Sequence, residues 1–267
     1  METFRKDLLI IKRFPTREQL GEAAAAGVSA AIKKLLETKE NIRMIFAAAP
    51  SQNEFLAALS GDRSVDFGRI TAFHMDEYVG LPAEAPQGFG NFLRDRLFSK
   101  CPFKEVHYLN GLAADIEEEC RRYAELLNRE PVDLVCMGIG ENAHIAFNDP
   151  GVADFRDPKT VKPVPLDLVC RRQQVNDGCF ARLEEVPARA LTLTVPALFK
   201  GGRIFCMVPA KSKADAVYYS LDRDIGEKYP ASILRNHASA VMYLDSDSGA
   251  RLAELRGLKT EVSDETA

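Results

Sequence analysis

No two cysteines of this chain stand in a Cys-x-x-Cys pair. The six (Cys101, Cys120, Cys136, Cys170, Cys179 and Cys206) are scattered, so neither a structural zinc site nor a disulfide framework is indicated. Long apolar runs are missing too; none approaches the roughly 18 residues that a membrane-spanning helix needs. Met1–Asp7 mixes charges around no apolar core, so no secretory leader is expected. Positive charge is not in excess: a net charge of −4 and a pI near 5.7 argue against nucleic acid as the main partner. An anionic ligand would have to be met by a local cationic pocket. These absences point to a reducing cytoplasm, away from membranes. What remains is ordinary globular composition, 46% hydrophobic and 28% charged over 267 residues. With no repeat, low-complexity block or linker, one domain over 1–267 is expected.

The most informative stretch is 131–150. Val132, Leu134, Val135, Cys136 and Met137 form a short apolar run with β-branched members, the pattern of a parallel strand buried on both faces. Gly138 and Gly140 follow, where a chain leaving a sheet turns sharply. Glu141, His144 and Asp149 then fall within nine residues, with Asn142 and Asn148 among them. Ligands of open α/β sheets bind beyond the carboxyl ends of strands, so a histidine and carboxylates there suit acid–base work. Gly138-x-Gly140-x-x-Ala143 mimics a dinucleotide fingerprint, but Pro150-Gly151 cuts short the helix that motif requires. Nucleotide binding is rejected on that ground.

Elsewhere strand and helix patterns alternate. Helical spacing of Leu20, Ala24, Val28, Ala31, Ile32 and Leu35 predicts a helix over 17–38, followed by a strand at 42–49. Ser51 to Glu54 matches a capping box opening a second helix, and a strand feeding such a helix start is a ready anion site. A strand at 68–73 runs into the adjacent carboxylates Asp76 and Glu77, which are costly together unless solvated or used. A loop over 81–90, a helix at 90–99, a strand at 106–109 and a charged helix at 114–128 precede the central strand. Residues 151–187, entered through Pro150 and containing Pro158, Pro163, Pro165 and the pair Arg171-Arg172, break the rhythm and read as a lid-like insertion. Strands at 189–195, 204–208 and 240–244 follow, with Lys211 and Lys213 at a strand-to-helix junction, a helix at 250–256, and a polar, frayed tail from Lys259. The alternation predicts an α/β fold with a mostly parallel, doubly wound sheet.

With those residues in view, the chain resembles the glucosamine-6-phosphate deaminase/isomerase family from about residue 16 to 256. The specific pieces are Phe73–Pro82 and Gly138–Pro150; Val186–Thr192, Lys213-Ala214 and Pro230–His237 add support. The resemblance implies a three-layer αβα sandwich with a Rossmann-like, mostly parallel sheet. It implies metal-free, cofactor-free conversion of glucosamine 6-phosphate to fructose 6-phosphate and ammonia. Asp76 is then the base that moves the C2 proton, His144 the ring-opening catalyst, and Asp149 stands where the family has a supporting Glu. The turn holding Ala49, Ser51 and Gln52 matches the phosphate loop, Lys213 the phosphate lysine, and Glu77 is counted with the substrate-binding set. The lid arginine has no clean partner; Arg172 is the choice and Arg171 its competitor. Asn142-Ala143 replaces the family's Asp-Gly, removing a charge beside the histidine, and alanines replace glycines in the phosphate turn. A sugar-phosphate isomerase, a 6-phosphogluconolactonase-like hydrolase or a non-catalytic sugar-phosphate sensor are the alternatives. The implied partner is a small sugar phosphate, and assembly into a homo-oligomer is left open.

Overall fold

The structure is a computed structural model that describes residues 1–261. Its strands are β1 (Glu2–Lys6), β2 (Leu9–Arg13), β3 (Ile42–Phe46), β4 (Ile70–His74), β5 (Asp76–Tyr78), β6 (Glu105–His107), β7 (Leu134–Met137), β8 (Val161–Pro165), β9 (Arg189–Leu193), β10 (Arg203–Val208), β11 (Ala240–Leu244) and β12 (Lys259–Glu261). The α-helices are α1 (Arg17–Leu36), α2 (Asn53–Gly61), α3 (Phe89–Leu93), α4 (Ile116–Asn128), α5 (Leu168–Asn176), α6 (Val195–Phe199) and α7 (Ala214–Asp222). No helix among the described residues is long and apolar enough to cross a membrane.

Nine strands form one sheet in the order β12-β1-β2-β11-β10-β7-β3-β4-β6. From β2 to β6 every pairing is parallel, while β1 and β12 add an antiparallel edge. The apolar runs are continuous because both faces are covered. Met44, Phe46, Cys136, Phe205 and Met207 face a core completed by Leu20, Val28 and Ile32 of α1 and Phe55, Leu56 and Leu59 of α2. Their neighbours Ile45, Val135, Met137, Ile204 and Cys206 face the opposite core, with Cys120, Tyr123 and Leu127 of α4 and Val217 and Leu221 of α7. Alternation along each strand thus splits the apolar residues between two cores, giving three layers. From β3 the chain winds outward to β4 and β6; from β7 it winds the other way to β10 and β11. The direction reverses between β3 and β7, and a crevice opens there at the strands' carboxyl ends.

A second sheet, β5-β9-β8, is antiparallel and separate. It accounts for the broken rhythm: 151–187 is not irregular throughout, since it carries β8 and α5, and the strand pattern at 189–195 pairs with β5 and β8 instead of joining the main sheet.

Other local expectations are corrected. Ser51 does not cap α2; a 3₁₀ turn, Pro50–Gln52, leads into the helix without a side-chain cap. The helix at 250–256 shrinks to the 3₁₀ turn Leu252–Glu254. Lys259–Glu261 is paired as β12, whereas 262–267 lie outside the described residues. The hairpin β1–β2 had no counterpart in the periodicity reading; its β2 joins β11 and so extends the parallel sheet.

Candidate active site

β7 is buried at all four positions and delivers the chain to Gly138 and Gly140 in the crevice. The backbone then folds back: Gly140 N–H donates to the His144 carbonyl (2.9 Å) and Ala143 N–H to the Gly140 carbonyl (3.0 Å). This reversal lays the His144 imidazole against the Gly140 Cα. A Cβ at residue 140 would stand 2.1–2.3 Å from three ring atoms, so only glycine leaves room. Ala143 turns the corner at φ +66°, a left-handed conformation that a glycine would adopt without strain.

Behind the ring lies Asp149, fully buried, its Oδ1 2.8 Å from His144 Nδ1, although the ring N–H is not aimed squarely at it. Asn142 bridges the pair: its Nδ2 donates to Asp149 Oδ1 (2.9 Å) and its Oδ1 accepts from His144 N–H (3.2 Å). Burial alone would push the Asp149 carboxyl up, but the contact with His144 and the Asn142 bond outweigh it and hold the carboxyl below its ordinary value. Asn142 therefore keeps an orienting role without the charge that the resemblance expects at that position. Asn148 anchors the loop from below, donating to the carbonyls of Ile145 (2.9 Å) and Leu193 (2.8 Å).

Asp76 comes from the corner between β4 and β5. That corner is held by buried His74, which reaches the Asp76 carbonyl through Nδ1 (2.9 Å) and accepts Leu109 N–H through Nε2 (2.9 Å). Two such bonds fix one neutral tautomer, and burial lowers the His74 pKa to about 4. Among the described residues nothing donates a hydrogen bond to the Asp76 carboxylate. Burial, and secondarily the charge of Glu77, push its pKa well above the ordinary carboxylate value. The result is a shielded, unusually basic carboxylate on the wall of the crevice that His144 also lines.

Polar and cationic groups line the same crevice. Ser51 and Gln52 line it after β3, with Gln52 pinned by Nε2 bonds to Ser51 Oγ (3.2 Å) and the Met207 carbonyl (3.3 Å). Ala49 is fully extended, so the alanine there is unstrained. Lys213, on the 3₁₀ turn entering α7, is buried. Among the described residues no carboxylate comes within salt-bridge distance of it. Burial lowers its pKa, with Asp177 and Glu141 pulling the other way. A buried ammonium without a partner is costly, and an anion in the crevice would relieve that cost.

Three choices made from sequence are placed elsewhere. Glu77 accepts backbone N–H bonds from Tyr78 (2.9 Å), Phe89 (3.0 Å) and Gly90 (2.9 Å), which fastens the start of α3 and keeps it off the crevice wall. Arg172 points to solvent on the outer side of α5. Its competitor Arg171 is tied to the carbonyls of Leu183 (2.7 Å) and Val186 (2.9 Å). The crevice-facing residues of this segment are Gln173, Gln174 and Asp177, and the arginine at the crevice is Arg17. Arg17 pairs with Glu54 (2.8 Å) and bonds the Pro50 carbonyl. Nothing in the sequence separates Arg17 from the other surface charges of an amphipathic helix. Gln173 and Gln174 had one signal, as an adjacent amide pair inside the lid-like insertion.

Residues 15–243 match the family described as glucosamine-6-phosphate isomerases/6-phosphogluconolactonase. The chain belongs to that family. Among its relatives, the glucosamine-6-phosphate deaminase of Bacillus cereus (strain B4264) is 33% identical over 242 residues, 91% of this chain and 87% of that one. The corresponding deaminase of Bacillus thuringiensis (strain Al Hakam) is 34% identical over the same shares. A solved monomeric glucosamine-6-phosphate deaminase superposes with a TM-score of 0.83 at 29% identity, covering 92% of this chain and 99% of the other. The 6-phosphogluconolactonase of Thermotoga maritima shares the fold at a TM-score of 0.72 and 20% identity, over 89% of this chain and 99% of the other. The Rossmann-like αβα architecture expected from the family is the one observed.

Proposed function

We propose that the chain is a glucosamine-6-phosphate deaminase/isomerase, converting glucosamine 6-phosphate to fructose 6-phosphate and ammonia. The observation that carries this reading is the pairing, in one crevice, of an unpartnered basic carboxylate, Asp76, with an imidazole backed by a buried carboxylate, His144–Asp149. The 33% identical deaminases and the solved deaminase support it.

Phosphate sits against Lys213 and the Ser51 turn, which sets the sugar along the crevice. His144, steadied by Asp149 and Asn142, carries the proton between the anomeric hydroxyl and the ring oxygen, opening the ring. Asp76 then removes the C2 proton and returns it to C1. Water adds to the resulting C2 imine, and ammonia leaves as the ketone forms. Asp76 suits its step because desolvation raises the basicity of a carboxylate that must take a proton from carbon. The segment 151–187 acts as a lid, with α5 delivering Gln173 and Gln174 to the sugar.

Ammonia release from glucosamine 6-phosphate, measured beside Asp76→Asn, tests the reading. Turnover in the parent and a loss of roughly 10²–10⁴ or more in the variant are expected. No turnover with either glucosamine or galactosamine 6-phosphate would refute it.

A further inference from the structure

Cys170 lies beside the His144–Asp149 pair, and the deaminase chemistry has no use for it. It is fully buried in the first turn of α5, where its N–H is held by Asp167 Oδ1 (2.6 Å). Donor atoms of His144, Asp149 and Cys170 all lie within 4.8 Å of one another. A second observation concerns the hydrogen bonding inside that cluster. Among the described residues, Asp149 Oδ2, on a side chain with no exposure, has no nitrogen or hydroxyl donor, the carboxylate being left with the weakly donating Cys170 thiol, and His144 Nδ1 has no well-aligned acceptor. Buried carboxylate oxygens are seldom left so.

We propose that His144, Asp149 and Cys170 form an inhibitory binding site for a thiophilic divalent cation of the zinc class. Tetrahedral coordination at about 2.0–2.3 Å places donor atoms roughly 3.3–3.8 Å apart, so His144 Nδ1 and Asp149 Oδ1, now 2.8 Å apart, must separate slightly while donors up to 4.8 Å apart draw in by about 1 Å. One nitrogen, one carboxylate oxygen and one sulfur select zinc or cobalt over magnesium or calcium, which prefer all-oxygen shells. Three protein ligands leave a fourth position for a water or a small anion. Binding sends the thiol proton to solvent and moves the imidazole proton to Nε2. The metal then occupies both the histidine nitrogen and the carboxylate that orients it. The site itself stands on the geometry alone; its inhibitory effect rests on the deaminase reading.

The test titrates the full chain, freed of metal by chelator and desalted, with Co²⁺. A thiolate-to-cobalt charge-transfer band should appear at one equivalent and be displaced by Zn²⁺ but not by Mg²⁺. Cys170→Ser should abolish the band and weaken binding at least about tenfold, whereas Cys179→Ser, altering a partly exposed thiol, should retain both. Should Cys170→Ser fail to fold, Asp149→Asn carries the test, with the same weakening expected. Zn²⁺ should also suppress ammonia release reversibly in the parent, with recovery on adding EDTA. Absence of the band in the parent, or its persistence in Cys170→Ser or undiminished binding in Asp149→Asn, overturns the site. A protein that shows the band but releases no ammonia keeps the site and loses the deaminase reading.

Discussion

Gly140→Ala isolates the placement of His144 from its chemistry. Residue 140 has no left-handed backbone angle, so alanine is acceptable there to the main chain. The obstacle is spatial: the new methyl would lie 2.1 Å from His144 Cε1 and 2.3 Å from both ring nitrogens, against 3.4 Å for ordinary contact. The ring must therefore move by roughly 1 Å, and displacement of that size at a reacting group costs about 10²-fold in rate. Because the imidazole forms part of the crevice wall, it can yield outward, so the stability cost should stay near the low end of the roughly 1–3 kcal/mol typical of overpacking. The assay is ammonia release under saturating substrate, paired with a denaturant melt to confirm a folded chain. The expected pattern is kcat reduced about a hundredfold with KM changed little, because the phosphate end is untouched. A folded Gly140→Ala protein with kcat within threefold of the parent would show that the imidazole's seat on Gly140 is not what positions it.

The raised pKa of Asp76 makes kcat/KM fall as pH drops through that value, so the acid limb should lie above the range of an ordinary carboxylate and should vanish with Asp76→Asn. The same shift has a stability sign. A carboxyl whose folded pKa is raised destabilises the fold at neutral pH, and this penalty fades as pH falls through the folded value. Asp76→Asn should accordingly stabilise the chain near pH 7 by about 0.5–2 kcal/mol in urea melts, and a destabilised variant would contradict the burial argument. Lys213→Met should raise KM roughly 10–100-fold with a smaller change in kcat, and an unchanged KM would remove Lys213 from phosphate binding. Arg172→Ala should leave KM within about twofold, since the side chain is on the outer side of α5; a large rise would mean that closure of the 151–187 segment swings it inward. Arg171→Ala should instead destabilise by about 1–3 kcal/mol, measured in the same melts, because two carbonyls lose their donor.

Much of the fold was legible because its signals are local. Continuous apolar runs at β3, β7, β10 and β11 report burial on both faces, and α1 shows its buried stripe at helical spacing. The hairpin β1–β2 was not legible, since its strands are half-buried and its stability comes from β11 and β12, remote in sequence. The same limit produced the wrong capping box: Ser51 has the right identity and spacing, but the crevice draws its hydroxyl toward Gln52. Asp76, His144, Asp149 and Lys213 stand out in the sequence because reactive side chains follow strand-ending turns. Glu77 looked equivalent to Asp76, yet adjacent residues of a strand face opposite ways, and the backbone of α3 claims its carboxylate. Arg172 lies on the exposed side of α5, whose buried stripe is Cys170, Gln173 and Gln174 at i, i+3 and i+4 spacing.

What the sequence determined by itself is therefore the layered α/β architecture and the identity of the groups at the strand ends. Hydrophobic periodicity and turn residues act over a few positions and need no partner. Tertiary structure alone decided which of those groups meet. It seated His144 on Gly140, turned Asn142 into a bridge to Asp149, left Asp76 without a donor and Lys213 without a carboxylate partner among the described residues, and brought Cys170 from α5 to the buried pair. Each of these depends on distances between segments far apart in the chain. Burial then amplifies them, because a carboxylate or ammonium removed from water takes its chemistry from whichever few atoms the fold puts beside it.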